Sequence, residues 1–327
     1  MNYVAPRWLP GGHLQTIWAA RAARASASAV PAYTRWRWTT PDQDFIDVDY
    51  LPASRQLNGA ARPLLVLFHG LEGSSHSHYA LAFADYAQQQ GMDYAVPHFR
   101  GCSGEINLAP RAYHSGDYEE LHWILQRLQA MQNRPMLVVG ISLGGNALLR
   151  WAQEYGSEAG RLVRAVAAIS APLDLHAAGE ALGRGFNLQV YTRMFLRSMK
   201  PRALQKLQQY PGLFSGEQLL QARTLYQFDD VFTAPLHGFR DAHDYWRRAS
   251  AKPHLQRLGV PALLLNARND PFVPECSLPA QTAAHARLTL WQPAQGGHVG
   301  FVDGPRPPGQ LQALPQAVGG WLRAHLH

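Results

Sequence analysis

The sequence predicts an α/β fold, with a mostly parallel central sheet flanked by helices and a helical insertion late in the chain. Three observations carry this. Short apolar runs at Leu64 to Phe68, Tyr94 to Phe99, Met136 to Gly140 and Val163 to Ser170 suit strands covered on both faces. Helical patterns lie between them, and strands alternating with helices imply parallel pairing with right-handed crossovers. The alternation stops after Pro172, gives way to a mainly helical stretch over 172–250, and resumes at Pro261.

Taken in order, residues 1–33 read as an irregular leader with a short Ala/Arg helix near Leu14 to Ala25. "YTRWRWTT" and "DFIDVDYL" alternate apolar and polar side chains, the pattern of antiparallel strands at a sheet edge. The turn-like "PASRQLNGAARP" separates them from the first apolar run. "HYALAFADYAQQQG" ends on Gly91, and "DYEELHWILQRLQAM" sets Leu121, Ile124, Leu125 and Leu128 on one helical stripe. Within 172–250, "QVYTRMFLRSM" and "GEQLLQARTLYQFDD" are the candidate helices. "PALLLNA" and "RLTLWQP" supply two further strands, and a helix around Gln310 to His325 closes the chain. An insertion at that point would sit over the C-terminal strand edge, where open α/β sheets bind their ligands.

The chain of 327 residues, 46% hydrophobic and 16% charged, is globular in character and fits one enlarged domain, 1–327. Its first residues lack the continuous apolar core of a secretory signal, and no run of about 18 apolar residues predicts a spanning helix. Two cysteines, Cys102 and Cys276, exclude a disulfide framework or a thiolate metal cluster, and a reducing cytoplasm is the expected home. No HExxH or carboxylate cluster has ligand spacing, and no G-x-G-x-x-G follows the first buried strand. Neither a metal nor a cofactor is therefore expected.

The chemistry centres on Gly140-Ile141-Ser142-Leu143-Gly144, a G-x-S-x-G match with an apolar strand before it and a helical pattern behind it. The glycines leave room for a sharp turn that presents the serine, and the helix start places partial positive charge beside it. A serine hydroxyl needs a base and a group to orient that base. In hydrolases built this way the chain order is Ser, then Asp or Glu, then His. Asp270 follows the strand within 261–267, and His298 lies in the glycine-flanked "QGGHVGF" after the last strand. Asp229, Asp230 and Asp303 are the rival acids. Ser142 would attack an acyl carbonyl, His298 would shuttle the proton, and Asp270 would fix the imidazole tautomer. "FHGLEGSS" after the first buried strand would supply the Leu71 backbone N–H as one oxyanion donor, with the Leu143 N–H as the other. His69 reads as structural.

These residues resemble the α/β-hydrolase superfamily, and more closely its YheT-like branch, which also includes mammalian hydrolase-domain proteins related to lipid metabolism. The match is carried by "PRWLPGGHLQTIW", "LFHGLEGSSHSHY", "FRGCSGEINL", "YHSGDYEEL", "GISLGGN", "ARNDPFVP" and "GGHVGF", which span nearly the whole chain. The resemblance implies a Ser-His-Asp hydrolase of small-molecule esters, short- to medium-chain or acylglycerol-like. Some relatives carry an H-x4-D acyltransferase motif. Here the counterpart begins at His114 and meets Glu119 where that motif has Asp, which weakens a transferase reading. The same three residues would also serve a thioesterase, and the fold would also suit a module that grips an apolar ligand without turnover. Cys102 in "RGCSG" reads as a packed loop residue.

The net charge is +7, and the segment 181–210 holds Arg184, Arg193, Arg197, Lys200, Arg202 and Lys206 but no Asp or Glu. Interleaved with apolar residues, it suits an amphipathic cap helix whose arginines face water. The same pattern would suit transient contact with an anionic membrane surface. No nucleic-acid module accompanies the charge, so no nucleic-acid partner is expected. The oligomeric state is left open by the sequence.

Overall fold

A computed structural model describes residues 2–23, 31–54 and 62–326. The strands are β1 Thr34–Thr39, β2 Phe45–Leu51, β3 Leu64–Phe68, β4 Asp93–Pro97, β5 Met136–Ile141, β6 Ala165–Ile169, β7 Ala262–Leu265 and β8 Leu288–Trp291. They form one eight-stranded sheet in the order β1-β2-β4-β3-β5-β6-β7-β8. The β1–β2 and β2–β4 pairs are antiparallel and every other pair is parallel. The fold class thus matches the alternation in the sequence, and the two antiparallel strands occupy one edge.

The helices are α1 Gly12–Arg21, α2 His78–Gln89, α3 Tyr118–Gln132, α4 Leu143–Glu154, α5 Gly156–Leu162, α6 Leu175–Leu182, α7 Gly185–Asn187, α8 Arg193–Gln209, α9 Gly216–Gln221, α10 Leu225–Phe228, α11 Ala234–Leu236, α12 Ala242–Ala249 and α13 Ala313–Arg323. The parallel strands are buried on both faces because residues alternate across the sheet. Leu64, Val66 and Phe68 of β3 pack with Leu121, Leu125, Leu148 and Trp151 of α3 and α4. Leu65 and Leu67 pack on the other side with Phe83 of α2 and Val318 of α13. The G-x-S-x-G turn is therefore held between two complete hydrophobic layers.

Several details depart from the sequence pattern. The alternation in β2 suggests a polar face, yet Asp47 and Asp49 are 1% and 2% exposed. The reason is cross-strand register: Arg37 and Arg35 of β1 stand opposite these two carboxylates and pair with them at 2.7 Å. Asp49 also accepts from Ser75 Oγ at 2.6 Å and binds the His98 ring at 2.9 Å. Helix α1 ends at Arg21, short of the expected Ala25, and positions 24 and 25 lie outside the described residues. So does most of the turn-like 52–63 stretch. Between β6 and β7 the chain runs from α6 through α12. The first helix expected there starts within a π-helical turn at Leu188–Thr192 before continuing as α8, and the second splits into α9 and α10.

Candidate active site

Ser142 ends β5 and begins α4 with φ 52° and ψ −118°, a backbone conformation that costs a non-glycine residue about 1–3 kcal/mol. Surrounding hydrogen bonds hold it there. Its N–H donates to Ile169 O at 2.8 Å on β6, while its carbonyl accepts from Gly145 and Asn146 N–H at 2.9 and 3.1 Å. The turn tolerates no side chain at Gly144, where a Cβ would come within 2.5 Å of His69 O. Sequence and geometry thus explain each other: the glycine permits the approach that pushes Ser142 out of the sheet.

The Ser142 hydroxyl lies 3.0 Å from His298 Nε2. On the other side of the ring, Nδ1 is 2.9 Å from Asp270 Oδ2 and 3.2 Å from Oδ1. Asp270 Oδ1 also accepts the Phe272 and Val273 N–H groups at 2.8 and 3.3 Å, so the carboxylate is aimed by its own loop. With Asp270 accepting at Nδ1, that nitrogen carries the proton and Nε2 is free to accept from the serine. The Phe272 ring packs against the imidazole with centroids 4.2 Å apart. Leu71 and Leu143 line the cleft that contains Ser142 and His298, and among the described residues neither backbone N–H is given to a protein acceptor.

A family model described as alpha/beta hydrolase fold matches residues 63–305. The chain is 37% identical over 330 aligned residues to the putative esterase YheT of Escherichia coli, covering 99% of this chain and 94% of that protein. The chain belongs to the α/β-hydrolase fold family. It is also 29% identical to the mouse phospholipase ABHD3, across 81% of this chain and 65% of that protein. Among solved structures, the Pyrococcus furiosus esterase Pf2001 superimposes with a TM-score of 0.54 at 16% identity, covering 93% of this chain and 98% of that one. At that identity the superposition reports the fold alone.

In this α/β hydrolase the rival acids are committed to other partners, although Asp229 lines the cleft that contains Ser142. Asp229 accepts from Thr233 Oγ1 at 2.6 Å and Trp246 Nε1 at 2.8 Å, and Asp230 accepts the Ala242 N–H at 3.0 Å. Asp303 pairs through its backbone with Gln310. His69 is fully buried and braces its loop: Nε2 accepts the Phe99 N–H at 3.0 Å, and Nδ1 donates to Gly70 O at 2.8 Å. Burial pushes its pKa down to about 3, so it stays neutral and fixed in that tautomer. Cys102 is buried, with its thiol pushed up to about 12 by that burial, which leaves it unreactive near neutral pH.

Two adjoining clefts meet at Leu71 and Leu143. The one containing Ser142 has an apolar wall made by Leu175, Leu182, Phe195, Leu225 and Phe272. The other mixes Ile106, Tyr113 and Phe232 with Glu72, Arg202 and Lys206. Arg202 reaches Glu72 Oε1 at 3.1 Å, while the buried Glu72 Oε2 has no partner among the described residues, and Lys206 donates to Asn107 O and Ala109 O at 2.6 and 2.8 Å.

Sequence reasoning overlooked the group that holds the His298 loop. Thr16 Oγ1 accepts the His298 N–H at 2.9 Å and donates to Gly12 O at 2.7 Å. Gln15 Oε1 accepts from Gly296 N–H and from Asn269 Nδ2, both at 2.9 Å, and Asn269 Oδ1 accepts the Gly297 N–H at 2.9 Å. Gln15 thereby ties the loop bearing His298 to the one bearing Asp270. Ser170 Oγ and His78 hold the next residue, Val299, through its N–H at 3.1 Å and its carbonyl at 3.2 Å. The one sequence signal was "GGHLQT" within the family-like N-terminal stretch, which carried no chemistry of its own.

Proposed function

We propose that the protein hydrolyses carboxylic esters, short- to medium-chain or acylglycerol-like, through an acyl-enzyme on Ser142. The carrying observation is the unbroken chain Ser142 Oγ, His298, Asp270, with contacts of 3.0 and 2.9 Å. In this reading His298 Nε2 takes the hydroxyl proton as Oγ attacks the acyl carbonyl, and returns it to the departing alkoxide. Asp270 stabilises the imidazolium formed between these steps. The Leu71 and Leu143 N–H groups hold the tetrahedral oxyanion, each being worth roughly 100- to 1000-fold in turnover. A water, deprotonated by the same imidazole, then releases the acid and restores Ser142.

The clefts suggest how the ester lies. The apolar cleft beside Ser142 suits the acyl chain, and the adjoining one, with its polar groups, suits the alcohol portion. The segment 172–250 acts as a cap, since Leu182, Phe195 and Leu225 come from it. Relatives named as an esterase and a phospholipase support this chemistry.

The test is turnover of p-nitrophenyl acetate and butyrate, with fluorophosphonate labelling, by the unmodified protein and Ser142→Ala side by side. The expected result is hydrolysis and labelling that vanish together in the variant. Labelling that persists in Ser142→Ala would assign the nucleophile elsewhere.

A further inference from the structure

The helical path from α7 through α8 shows different chemistry on its two sides. One side carries Tyr191, Leu196 and Ala203, all buried, and lends Phe195 and Met199 to the substrate clefts. The other presents Phe186, Val190 and Met194 at 51%, 36% and 47% exposure. Spaced four residues apart, these three form one outward stripe. Arg193 and Arg197 are exposed on the same arc and, among the described residues, have no acidic partner. Large apolar side chains left in water beside unpaired cations need an explanation that a merely solvated face does not give.

The patch extends beyond one helix. His13 of α1 binds Tyr191 OH through Nδ1 at 3.1 Å and packs against the Phe186 ring with centroids 4.6 Å apart. Helix α1 adjoins the stripe and exposes Leu14 at 51%. Neither 1–41 nor 181–210 contains an Asp or Glu, so no carboxylate in either segment opposes a negative surface.

We infer that this face docks on an anionic phospholipid surface, with Phe186, Val190 and Met194 entering the headgroup boundary and Arg193 and Arg197 meeting lipid phosphates. Charge complementarity decides among the occupants. A second copy would bring two basic faces together, and the electrostatic term would oppose the contact. A nucleic acid would match the arginines but give the aliphatic stripe nothing to enter. An anionic bilayer answers both, since interfacial helices bind through buried apolar area together with attraction of Lys and Arg to acidic lipids. Docking in this pose would hold the substrate clefts, built from the same helix, near the lipid. The docking surface stands whether or not Ser142 is the nucleophile.

The test is flotation with phosphatidylcholine vesicles, with and without a phosphatidylglycerol fraction, using the Ser142→Ala protein so that no lipid is consumed. Binding should require the anionic lipid and weaken as salt is raised. Arg193→Glu with Arg197→Glu should reduce partitioning by at least about tenfold, since each basic residue near such a surface contributes roughly fivefold. Val190→Ser with Met194→Ser should reduce it several-fold. In the Ser142-containing protein, neither pair should change turnover of a water-soluble ester, which also reports that the variants are folded. Equal binding to neutral vesicles, salt-independent binding, unchanged partitioning of the charge-reversed variant, or tighter retention on duplex DNA than on anionic vesicles would each overturn the proposal.

Discussion

Thr16→Val removes one oxygen and preserves nearly the same volume, so it isolates the hydrogen bond that Thr16 makes to the His298 loop. The hydroxyl accepts the His298 N–H at 2.9 Å and donates to Gly12 O at 2.7 Å, and Thr16 is 7% exposed. Without it, the His298 N–H loses its acceptor in a tightly packed region, while the Gly12 carbonyl keeps its helical bond. The packing is close: a Cβ on Gly12 would meet Asn269 O at 1.9 Å. An unsatisfied buried donor costs about 1–3 kcal/mol. The loop can recover that cost by moving the His298 N–H toward solvent, which displaces the imidazole from its 3.0 Å contact with Ser142. If the whole cost is expressed in the transition state, kcat falls about 5- to 150-fold. The assay is kcat and KM for p-nitrophenyl butyrate, with thermal unfolding in parallel and Thr16→Ser as the variant that restores the hydroxyl. We expect kcat to fall with KM little changed, and Thr16→Ser to recover most of the loss. A lowered Tm with kcat unchanged in Thr16→Val would refute the argument, because the bond would then hold the fold and not the base.

Leu182→Trp narrows the apolar cleft from its α6 wall and should shift chain-length preference toward acetate. Each buried methylene is worth about 0.8 kcal/mol, so the ratio of octanoate to acetate turnover should drop at least about tenfold, and an unchanged ratio would place the acyl chain elsewhere. Acid should destabilise the β1–β2 edge. Burial alone would raise the Asp49 carboxyl, but hydrogen bonds from Arg35, His98 and Ser75 override it and hold the group well below the usual carboxylate range; Asp47 is lowered in the same way, chiefly against burial by Arg37. A carboxyl depressed in the folded state stabilises above its unfolded pKa, so that contribution is lost as pH falls below about 4. Tm measured against pH should drop in that window, and Asp49→Asn should show a lower Tm at neutral pH with a flatter acid limb.

The fold was legible because its strands are short apolar runs and its helices have one apolar stripe, patterns set by two-sided burial of a parallel sheet. The elements that misled are those whose partners come from far along the chain. Asp47 and Asp49 look like a wet strand face until Arg35 and Arg37 stand opposite them, and strand register is invisible in either strand alone. The candidate site divides the same way. Ser142 carries a local signal, since its turn requires glycines beside it. Asp270 and His298 could be ranked only by strand-end position, and their approach within hydrogen-bonding distance depends on loops after β7 and β8. Gln15 and Thr16 are ordinary helix residues in sequence. Their contacts to Gly296 and His298 span more than 280 positions, so no local pattern could reveal them.

Helix α1 connects the two proposals through its own geometry. His13 touches Tyr191 and Phe186 at the docking face and Leu14 is exposed, while the next two residues, Gln15 and Thr16, are buried against the Asp270 and His298 loops. Lipid contact could therefore reach the imidazole if α1 moved as it docked. The ties argue against such movement. Gln15 Nε2 donates to Leu9 O at 3.1 Å, Trp18 Nε1 donates to Pro308 O at 2.8 Å, and the Trp8 and Trp18 rings meet edge to face at 5.4 Å. Shifting α1 would break these contacts together, at about 1 kcal/mol for each hydrogen bond. A surface attraction of similar size per arginine has no reason to be spent on that movement when the stripe is already exposed. Adding anionic vesicles should thus leave kcat for a water-soluble ester unchanged, while lowering the concentration of a bilayer-borne ester needed for half-maximal rate. A several-fold rise in kcat for the soluble ester would show that α1 yields on docking and that the His298 loop responds to lipid.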